Sequence, residues 1–254
     1  MTNGVKVVLL ILVGIIIALG VIFFTQKEEI TKRFFHKAEL KISNKYDSEE
    51  IKHIEIDLIS SDIIINKSYD NIFNLEVYAQ ENEIITVDVK DNTLRIKADP
   101  ENMCIGICNG NKVLLEIPET YIGNFDLKTV SGDISSTIVE PANNYKVTVT
   151  SGDINLDSVT NIDVATTSGD INIKNLYGYI NATGVSSDIA IDNFVIHGNS
   201  TISLTSGDIE IDKIEGAKID ASTVSGDLRV SDNDDEGEYT LKISTISGDV
   251  KVNE

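Results

Sequence analysis

Beyond residue 45 the chain alternates apolar and polar positions with a period of two, which is typical of half-buried β-strands. The alternation is clearest after each copy of a repeated phrase, Ser-Gly-Asp, where an apolar, a polar and an apolar residue follow the aspartate. In one copy Ile171 and Ile173 flank Asn172, so the strand period predicts buried isoleucines and an exposed asparagine. After the first apolar run no window shows a helical period, apart from a stretch near residues 27–41. The pattern therefore predicts an all-β body.

The Ser-Gly-Asp phrase is an internal repeat with regular spacing. Seven copies carry a serine two positions before an aspartate: Ser131 and Asp133, Ser151 and Asp153, Ser168 and Asp170, Ser186 and Asp188, Ser206 and Asp208, Ser225 and Asp227, and Ser247 and Asp249. Successive aspartates lie 17 to 22 residues apart, and glycine stands between serine and aspartate in every copy except the one with Ser187. Ser61 and Asp62 belong to an earlier, eighth copy. Such a period predicts a stack of similar units.

A unit of about 19 residues with two short strands cannot bury its own apolar face, so the copies must stack. The sequence therefore predicts a single-stranded parallel β-helix, or β-solenoid, in which each coil of about 19 residues lies on the coil that precedes it in the chain. The phrase would turn the chain at the same corner of every coil, because glycine permits unusual backbone angles and serine and aspartate bond to turn backbone. Stacked about 4.8 Å apart, the aspartates would repel one another. Either backbone N–H donors at each aspartate's own corner or a file of bound cations would offset that repulsion.

The regularity of the repeat divides the body, residues 46–254, into two parts. Residues 46–126 are rich in alternating segments but irregular, whereas residues 127–254 hold the regular coils. One acidic insertion, SDNDDEGE at residues 231–238, accounts for the longest step between aspartates. We expect this insertion to form a solvated loop.

An apolar run precedes the body. Residues 7–24 are eighteen apolar or glycine positions without a charge, enough for a helix of about 27 Å. The best small-x-small cleavage candidate lies inside the run, so the sequence predicts an uncleaved transmembrane anchor over residues 1–24 and a juxtamembrane linker over residues 25–45. We expect a single-pass protein of the cell membrane with its body outside the cytoplasm. The basic residues after the run favour the opposite orientation, which stays open.

The charge of the body narrows the classes of partner. Residues 1–45 hold seven of the 21 basic and three of the 41 acidic residues, which leaves 14 basic and 38 acidic residues, a net charge of −24, after residue 45. Such a body is repelled by nucleic acid and by anionic lipid headgroups. Cations, cationic peptides and basic protein surfaces remain as electrostatic partners, with calcium as a weak one.

No catalytic constellation is recognisable in the sequence. The three histidines, His36, His53 and His197, are scattered, and no nucleophile elbow, phosphate loop or zinc spacing is present. Cys104 and Cys108 are interpreted either as buried apolar side chains or as a disulfide closed by a tight loop. We predict no enzymatic activity and no cofactor.

The acidic insertion contains weak candidates for metal ligands. These are Asp232, Asp234, Asp235 and Glu236. A calcium loop of the EF-hand type needs a glutamate at its twelfth position, but counting from Asp232 that position is Ile243. The sequence therefore favours a solvated acidic loop over a calcium site.

Three segments and the Ser-Gly-Asp-Ile series together resemble a known family. The segments are IEIDLISSDIIIN at 54–66, TLRIKAD at 93–99 and VLLEIPE at 113–119. They resemble the toastrack-type family of bacterial putative adhesins, a β-strand repeat domain of unknown function. That family includes the membrane-anchored accessory protein of the Lia envelope-stress operon. The resemblance covers roughly residues 46–254. It implies a β-helix-like body and a cell-envelope role, without any catalytic residue to carry over.

These observations favour a membrane-anchored, non-enzymatic scaffold that binds an envelope protein or polymer, with an adhesin-like role and a link to envelope stress. The alternatives are a calcium-stabilised solenoid that binds cations along its acidic corners and, less favoured, a carbohydrate-active β-helix enzyme. A column of residues before the serines would offer a repeated binding surface if it faces outward: Val130, Thr150, Thr167, Val185, Thr205, Val224 and Ile246. Strand propensity alone would also explain this column.

Overall fold

The computed structural model describes residues 37–102, 110–138, 143–231 and 237–253. The regular secondary structure of these ranges is entirely β-strand, and the strands form one continuous curled, solenoid-like sheet. The prediction of an all-β body is confirmed. None of the described residues forms a helix long and apolar enough to cross a membrane. The predicted anchor, residues 7–24, lies outside the described residues.

The strands are numbered in chain order. They are β1 (Glu39–Asp47), β2 (His53–Asp57), β3 (Asp62–Ser68), β4 (Ile72–Ala79), β5 (Ile85–Lys90), β6 (Thr93–Ala98), β7 (Lys112–Pro118), β8 (Asn124–Ser131), β9 (Ile134–Ser136), β10 (Asn144–Ser151), β11 (Ile154–Ser168), β12 (Ile171–Ser186), β13 (Ile189–Ile196), β14 (Ser200–Ser206), β15 (Ile209–Glu215), β16 (Ala217–Ser225), β17 (Leu228–Val230), β18 (Tyr239–Ser247) and β19 (Val250–Val252).

Strand β1 begins inside the segment predicted as a linker, residues 25–45. It starts at Glu39 and runs antiparallel to β4 as far as Asp47. Ile42 and Tyr46 lie on the same face of β1 and pack against the core. The last seven residues of the predicted linker therefore belong to the β body.

The irregular N-terminal part combines antiparallel and parallel pairs. β4 lies antiparallel between β1 and β7, and β5 lies antiparallel beside β6. β6 and β7 pair in parallel with β2 and β3, which in turn pair in parallel with β8 and β9. The segment with β2 and β3 thus lies between two segments that follow it in the chain. Sequence order is not stacking order at this end.

From β8 onward the repeats pair in parallel and in register. The strands that lead into each serine lie side by side in the order β8, β10, β11, β12, β14, β18, β16. Their aligned apolar side chains form a buried column in which each residue is at most 3% exposed: Leu127, Val147, Val164, Ala182, Ile202 and Ile243. The strands after each aspartate continue the same interior, with Ile171 and Ile173 buried and Asn172 exposed as the strand period predicts.

The last two repeats are exchanged relative to the chain. β18 pairs with β14 on one side and with β16 on the other, and β19 likewise lies between β15 and β17. Val250 therefore sits between Ile209 and Leu228. The prediction that every coil lies on the coil before it in sequence is wrong here: the final repeat fills a slot inside the stack, and the repeat before it forms the end.

Burial explains why the final repeat takes the inner slot. Its inward residues Leu241, Ile243 and Val250 are at most 1% exposed, because neighbours cover them on both sides. The repeat at the end of the stack offers Ala221, which is half-buried, and Leu228, which is 48% exposed. Burying apolar area contributes about 25 cal/mol per Å², so the more apolar repeat gains more from the inner position.

A row of aromatic rings fills the core near the start of the stack. Phe73 meets Tyr121 edge to face at 5.2 Å between ring centroids, Tyr121 meets Phe125 at 5.6 Å, and Phe125 stacks on Tyr145 at 4.5 Å. Burial raises the pKa of the Tyr121 and Tyr145 hydroxyls, so both remain neutral. The row joins the irregular N-terminal part to the first regular repeats.

Candidate functional site

The aspartates of the repeated phrase form a hydrogen-bonded ladder along one corner of the stack. In each step the backbone N–H of one aspartate donates to Oδ1 of the aspartate in the adjacent repeat. The donor–acceptor pairs are Asp133 to Asp62 (3.0 Å), Asp153 to Asp133 (2.9 Å), Asp170 to Asp153 (2.9 Å), Asp188 to Asp170 (3.1 Å), Asp208 to Asp188 (2.8 Å), Asp249 to Asp208 (2.7 Å) and Asp227 to Asp249 (2.7 Å). These eight aspartates are called the corner ladder.

The donor to each carboxylate belongs to the neighbouring repeat. This corrects the expectation that each aspartate would be satisfied by donors at its own corner. Main-chain bonds run along the same edge in the opposite sense; for example, the Ile154 N–H donates to the Asp170 carbonyl oxygen at 2.8 Å. Because an ionised acceptor strengthens a hydrogen bond, each step offsets the repulsion between stacked carboxylates and also fixes the register of two repeats.

The two ends of the corner ladder have different partners. At the start, the Asp62 N–H donates to the carbonyl oxygen of Asn111 at 3.1 Å. At the other end, no further aspartate follows Asp227 in the described stack, and its Oδ2 accepts a bond from Arg229 Nη2 at 3.0 Å. The ladder thus spans the stack from one terminal repeat to the other.

Close packing of the repeats explains the glycine in the phrase. A Cβ on Gly169 would lie 2.1 Å from the carbonyl oxygen of Gly152, far inside van der Waals contact. Five of these glycines also have φ between 124° and 153°, which side chains rarely adopt: Gly152, Gly169, Gly207, Gly226 and Gly248. The sixth, Gly132, lies outside this range of φ, and there the close approach alone requires glycine, since a Cβ would lie 2.3 Å from the Ser61 carbonyl oxygen.

Ser187 is accommodated by a glycine elsewhere in its own repeat. Its side chain is buried, and a Cβ on Gly184 would lie 3.3 Å from both Cβ and Oγ of Ser187. The positions aligned with Gly184 in the adjacent repeats hold Thr166 and Leu204. The missing side chain at Gly184 therefore leaves the space that Ser187 occupies.

The column beside the serines faces outward along its whole length. In stack order this outer file is Val130, Thr150, Thr167, Val185, Thr205, Ile246 and Val224, and every member is exposed. Val224, at the end of the stack, is 81% exposed. Parallel in-register pairing spaces the side chains of the file about 4.8 Å apart.

A second outward column lies two residues upstream on the same strands. This middle file is Lys128, Thr148, Ala165, Thr183, Ser203, Ser244 and Ser222. Lys128 is the one charged residue among the fourteen positions of the two files, and its Nζ lies 3.7 Å from Asp57 Oδ1. We call the two files together the flat face. The residues of the flat face can be found in the sequence only when every second residue is compared across all repeats.

Charged residues border the flat face on the side away from the corner. Lys146 Nζ lies 3.5 Å from Asp126 Oδ2, and Glu55 accepts bonds from Lys97 Nζ (2.7 Å) and Arg95 Nε (3.1 Å). The hydrogen bond from Lys97 is the largest cause that lowers the pKa of Glu55, with the charge of Lys97 and the Arg95 guanidinium acting in the same direction. The flat face therefore lies between this charged border and the corner ladder.

The described residues bring no catalytic group together. His53 lies in β2, and His197 follows β13 with its N–H donating to the Gly178 carbonyl oxygen at 2.8 Å. No three His, Cys, Asp or Glu side chains within the described ranges are grouped so that they could hold a metal ion. His36, Cys104 and Cys108 lie outside the described residues. So do the weak metal candidates Asp232, Asp234, Asp235 and Glu236.

Several solved structures are similar to this chain at low sequence identity. A putative cell adhesion protein from Clostridium sporogenes is 13% identical, with 86% of this chain and 99% of that chain covered and a TM-score of 0.41. A putative adhesin from Bacteroides fragilis is 15% identical (84% and 97% covered, TM-score 0.38). A putative lipid binding protein from Parabacteroides distasonis is 16% identical (84% and 96% covered, TM-score 0.42).

A search of curated proteins found no matching relative. The Toastrack DUF4097 family model matches residues 51–254, which are most of the chain and include all eight aspartates of the corner ladder. This chain is a member of the toastrack DUF4097 family.

Proposed function

We propose that the protein is a membrane-anchored, non-enzymatic scaffold of the cell envelope that binds a protein or polymer through its flat face. In this proposal residues 7–24 are the anchor, and the body lies outside the cytoplasm, with its regular repeats from β8 onward forming a single-stranded parallel β-helix. An adhesin-like role and a link to envelope stress accord with the sequence resemblance described above. The corner ladder serves to fix the repeats so that the face stays regular.

The depletion of charge on the flat face is the observation that carries this proposal. Charged residues make up 24% of the chain, but the two files contain one in fourteen positions. Loss of charged residues is a compositional mark of the core of protein interfaces. A solvated surface of a protein with a net charge of −20 has no physical need for such a gap.

The chemistry of the face limits its partner. Its hydroxyl and methyl groups recur about 4.8 Å apart along the stack, so they suit an extended or flat partner with repeated hydrogen-bonding groups. The adjacent carboxylates repel anionic ligands such as nucleic acid and acidic headgroups. An envelope polysaccharide or a protein surface without excess negative charge fits these conditions.

A pair of lysine substitutions tests the face. Thr183→Lys places a charge in the middle file, whereas Asn172→Lys places the same charge on the exposed side of a strand after the corner. The full chain is immobilised in detergent and exposed to solubilised envelope fractions, and the retained material is identified. We expect Thr183→Lys to lose the retained partner and Asn172→Lys to keep it. Equal retention by both variants would place binding elsewhere, and a turnover activity removed by one Asp or His substitution would establish an enzyme.

The membrane topology has its own test. Protease is added to intact protoplasts and, separately, to permeabilised ones. A body outside the cytoplasm is degraded in both samples. A body that survives until the membrane is permeabilised is cytoplasmic, which would contradict the proposed location and exclude envelope partners outside the membrane.

A further inference from the structure

Glu83 is a buried carboxyl group at the start of the stack. It lies in the turn between β4 and β5, where its N–H donates to the Gln80 carbonyl oxygen at 3.1 Å. The residue is 6% exposed, although the neighbouring Glu81 in the same turn is exposed to solvent. Burying an ionised carboxylate without a counter-charge is costly, so the surroundings of Glu83 decide its protonation state.

The partner of Glu83 is a buried amide on the residue before β7, the strand that pairs with β4. Asn111, which is 2% exposed, donates from Nδ2 to Glu83 Oε2 at 2.5 Å. Three buried oxygens near this bond, Glu83 Oε1, Asn111 Oδ1 and Ser61 Oγ, make no well-formed hydrogen bond within the described residues. The Ser61 hydroxyl can donate to a Glu83 oxygen, but an ionised carboxylate cannot donate to Asn111 Oδ1, whereas a protonated carboxyl group has an O–H donor.

We propose that Glu83 is held in its protonated form and makes a cyclic acid–amide pair with Asn111 that clamps the β4–β5 turn to the start of the corner ladder. The Glu83 Oε1–H donates to Asn111 Oδ1 while Asn111 Nδ2 donates to Glu83 Oε2. The Asn111 carbonyl also accepts the N–H of Asp62, the first member of the ladder. Loss of the proton leaves two oxygens facing each other beside a buried charge, so the clamp opens as the pH rises.

The charges around Glu83 do not oppose this assignment. Burial is the largest cause that raises the pKa of Glu83, and the nearby Gln80 backbone and the Ser61 and Asn111 side chains, which lower it, only partly counter burial. Asp62 begins β3 and Lys112 begins β7, and the Lys112 ammonium lies over the Tyr78 ring at 4.9 Å. No charged side chain of the described ranges adds to the pKa of Glu83.

Thermal melting against pH tests the clamp. The full chain in detergent is compared with Glu83→Gln, whose amide stays neutral, and with Glu81→Gln as the exposed control. A carboxyl group whose pKa is higher in the folded than in the unfolded state stabilises the folded state at low pH. This stabilisation is lost as the pH rises from the unfolded-state pKa through the folded-state pKa. The melting temperature of the wild type should therefore fall relative to Glu83→Gln by about 3–5 °C per pH unit above roughly pH 4.5. Glu81→Gln should follow the wild type.

One further readout, made on the wild type alone, decides the case if Glu83→Gln folds poorly. In carboxyl ¹³C spectra of the wild type, the Glu83 signal should remain that of the acid at a pH where Glu81 has ionised. Ionisation of Glu83 together with Glu81 would overturn the proposal, as would a pH-independent difference between wild type and Glu83→Gln. Stabilisation of the wild type by calcium at neutral pH, absent in Glu83→Gln, would also overturn it by showing a cation in place of the proton.

Discussion

The backbone N–H of Asp249 donates a 2.7 Å hydrogen bond to Oδ1 of Asp208, although 41 residues separate the two. Asp227 lies between them in the chain but beyond Asp249 in the stack, where its N–H donates to Asp249 Oδ1. The last repeat is therefore enclosed by the two repeats before it. Because it is enclosed, this repeat buries its apolar side chains against a neighbour on each side.

The corner ladder predicts a difference between two substitutions at Asp170. Asp170→Asn keeps an oxygen that accepts the Asp188 N–H and should change the free energy of unfolding only slightly. Asp170→Ala removes that acceptor and should cost about 1 kcal/mol more than the asparagine variant, since the freed N–H lies at an exposed corner where water reaches it. Urea denaturation of the two variants measures the difference. Equal losses would show that the carboxylate, rather than its acceptor oxygen, is what the stack requires.

Glycine substitutions test how closely the repeats approach. Gly169→Ala places a Cβ 2.1 Å from a backbone oxygen at a φ of 124°, so we expect a loss of at least about 2 kcal/mol in stability. Gly198→Ala is the control, because its nearest neighbour would be the Tyr179 Cβ at 3.3 Å and its φ lies outside the strained range. That control should lose less than about 1 kcal/mol. Comparable stability of the two variants would mean that the corners are not tightly stacked.

The corner ladder also predicts that calcium does not change the thermal stability of the protein. In the corner ladder as far as Asp249, one oxygen of each carboxylate already accepts a hydrogen bond from a backbone N–H. The described residues also contain no group of three His, Cys, Asp or Glu side chains that could hold a metal ion. Millimolar calcium or a chelator should therefore leave the melting temperature of the full chain nearly unchanged. A calcium-dependent rise of about ten degrees that Asp170→Asn abolishes would instead support the calcium-stabilised solenoid, because that size of shift requires tight binding to the folded state.

The strands and their buried faces around each corner could be predicted from the sequence because the period of two is kept there on both sides of the aspartate. Ile171 and Asn172 fall on the predicted sides, and the outward position of the outer file follows from the same alternation. The partners of the corner carboxylates could not be read, since hydrogen bonds between repeats depend on the offset of two chains at a corner. Only the geometry assigns each carboxylate to its neighbour's amide.

The order of the last repeats and the clamp at Glu83 also could not be predicted from the sequence. The triplets at Leu228 and Val250 share one apolar pattern, so the pattern alone cannot say which repeat is enclosed. Which repeat is enclosed depends on the apolar area that each whole repeat buries. From its sequence context Glu83 is an ordinary turn residue, and its contact with Asn111, 28 residues away, appears only in the folded structure.

Aspartate substitutions at Val250 and Leu228 test the exchanged order most directly. The two residues hold equivalent positions in their repeats, but Val250 is 1% exposed and Leu228 is 48% exposed. We predict that Val250→Asp costs the full chain several kcal/mol in urea denaturation, as a carboxylate is forced between repeats, while Leu228→Asp costs less than about 1 kcal/mol. If the repeats stacked in chain order, Leu228 would be enclosed and Val250 would be at the end. A larger loss for Leu228→Asp than for Val250→Asp would contradict the structure of the stack described here.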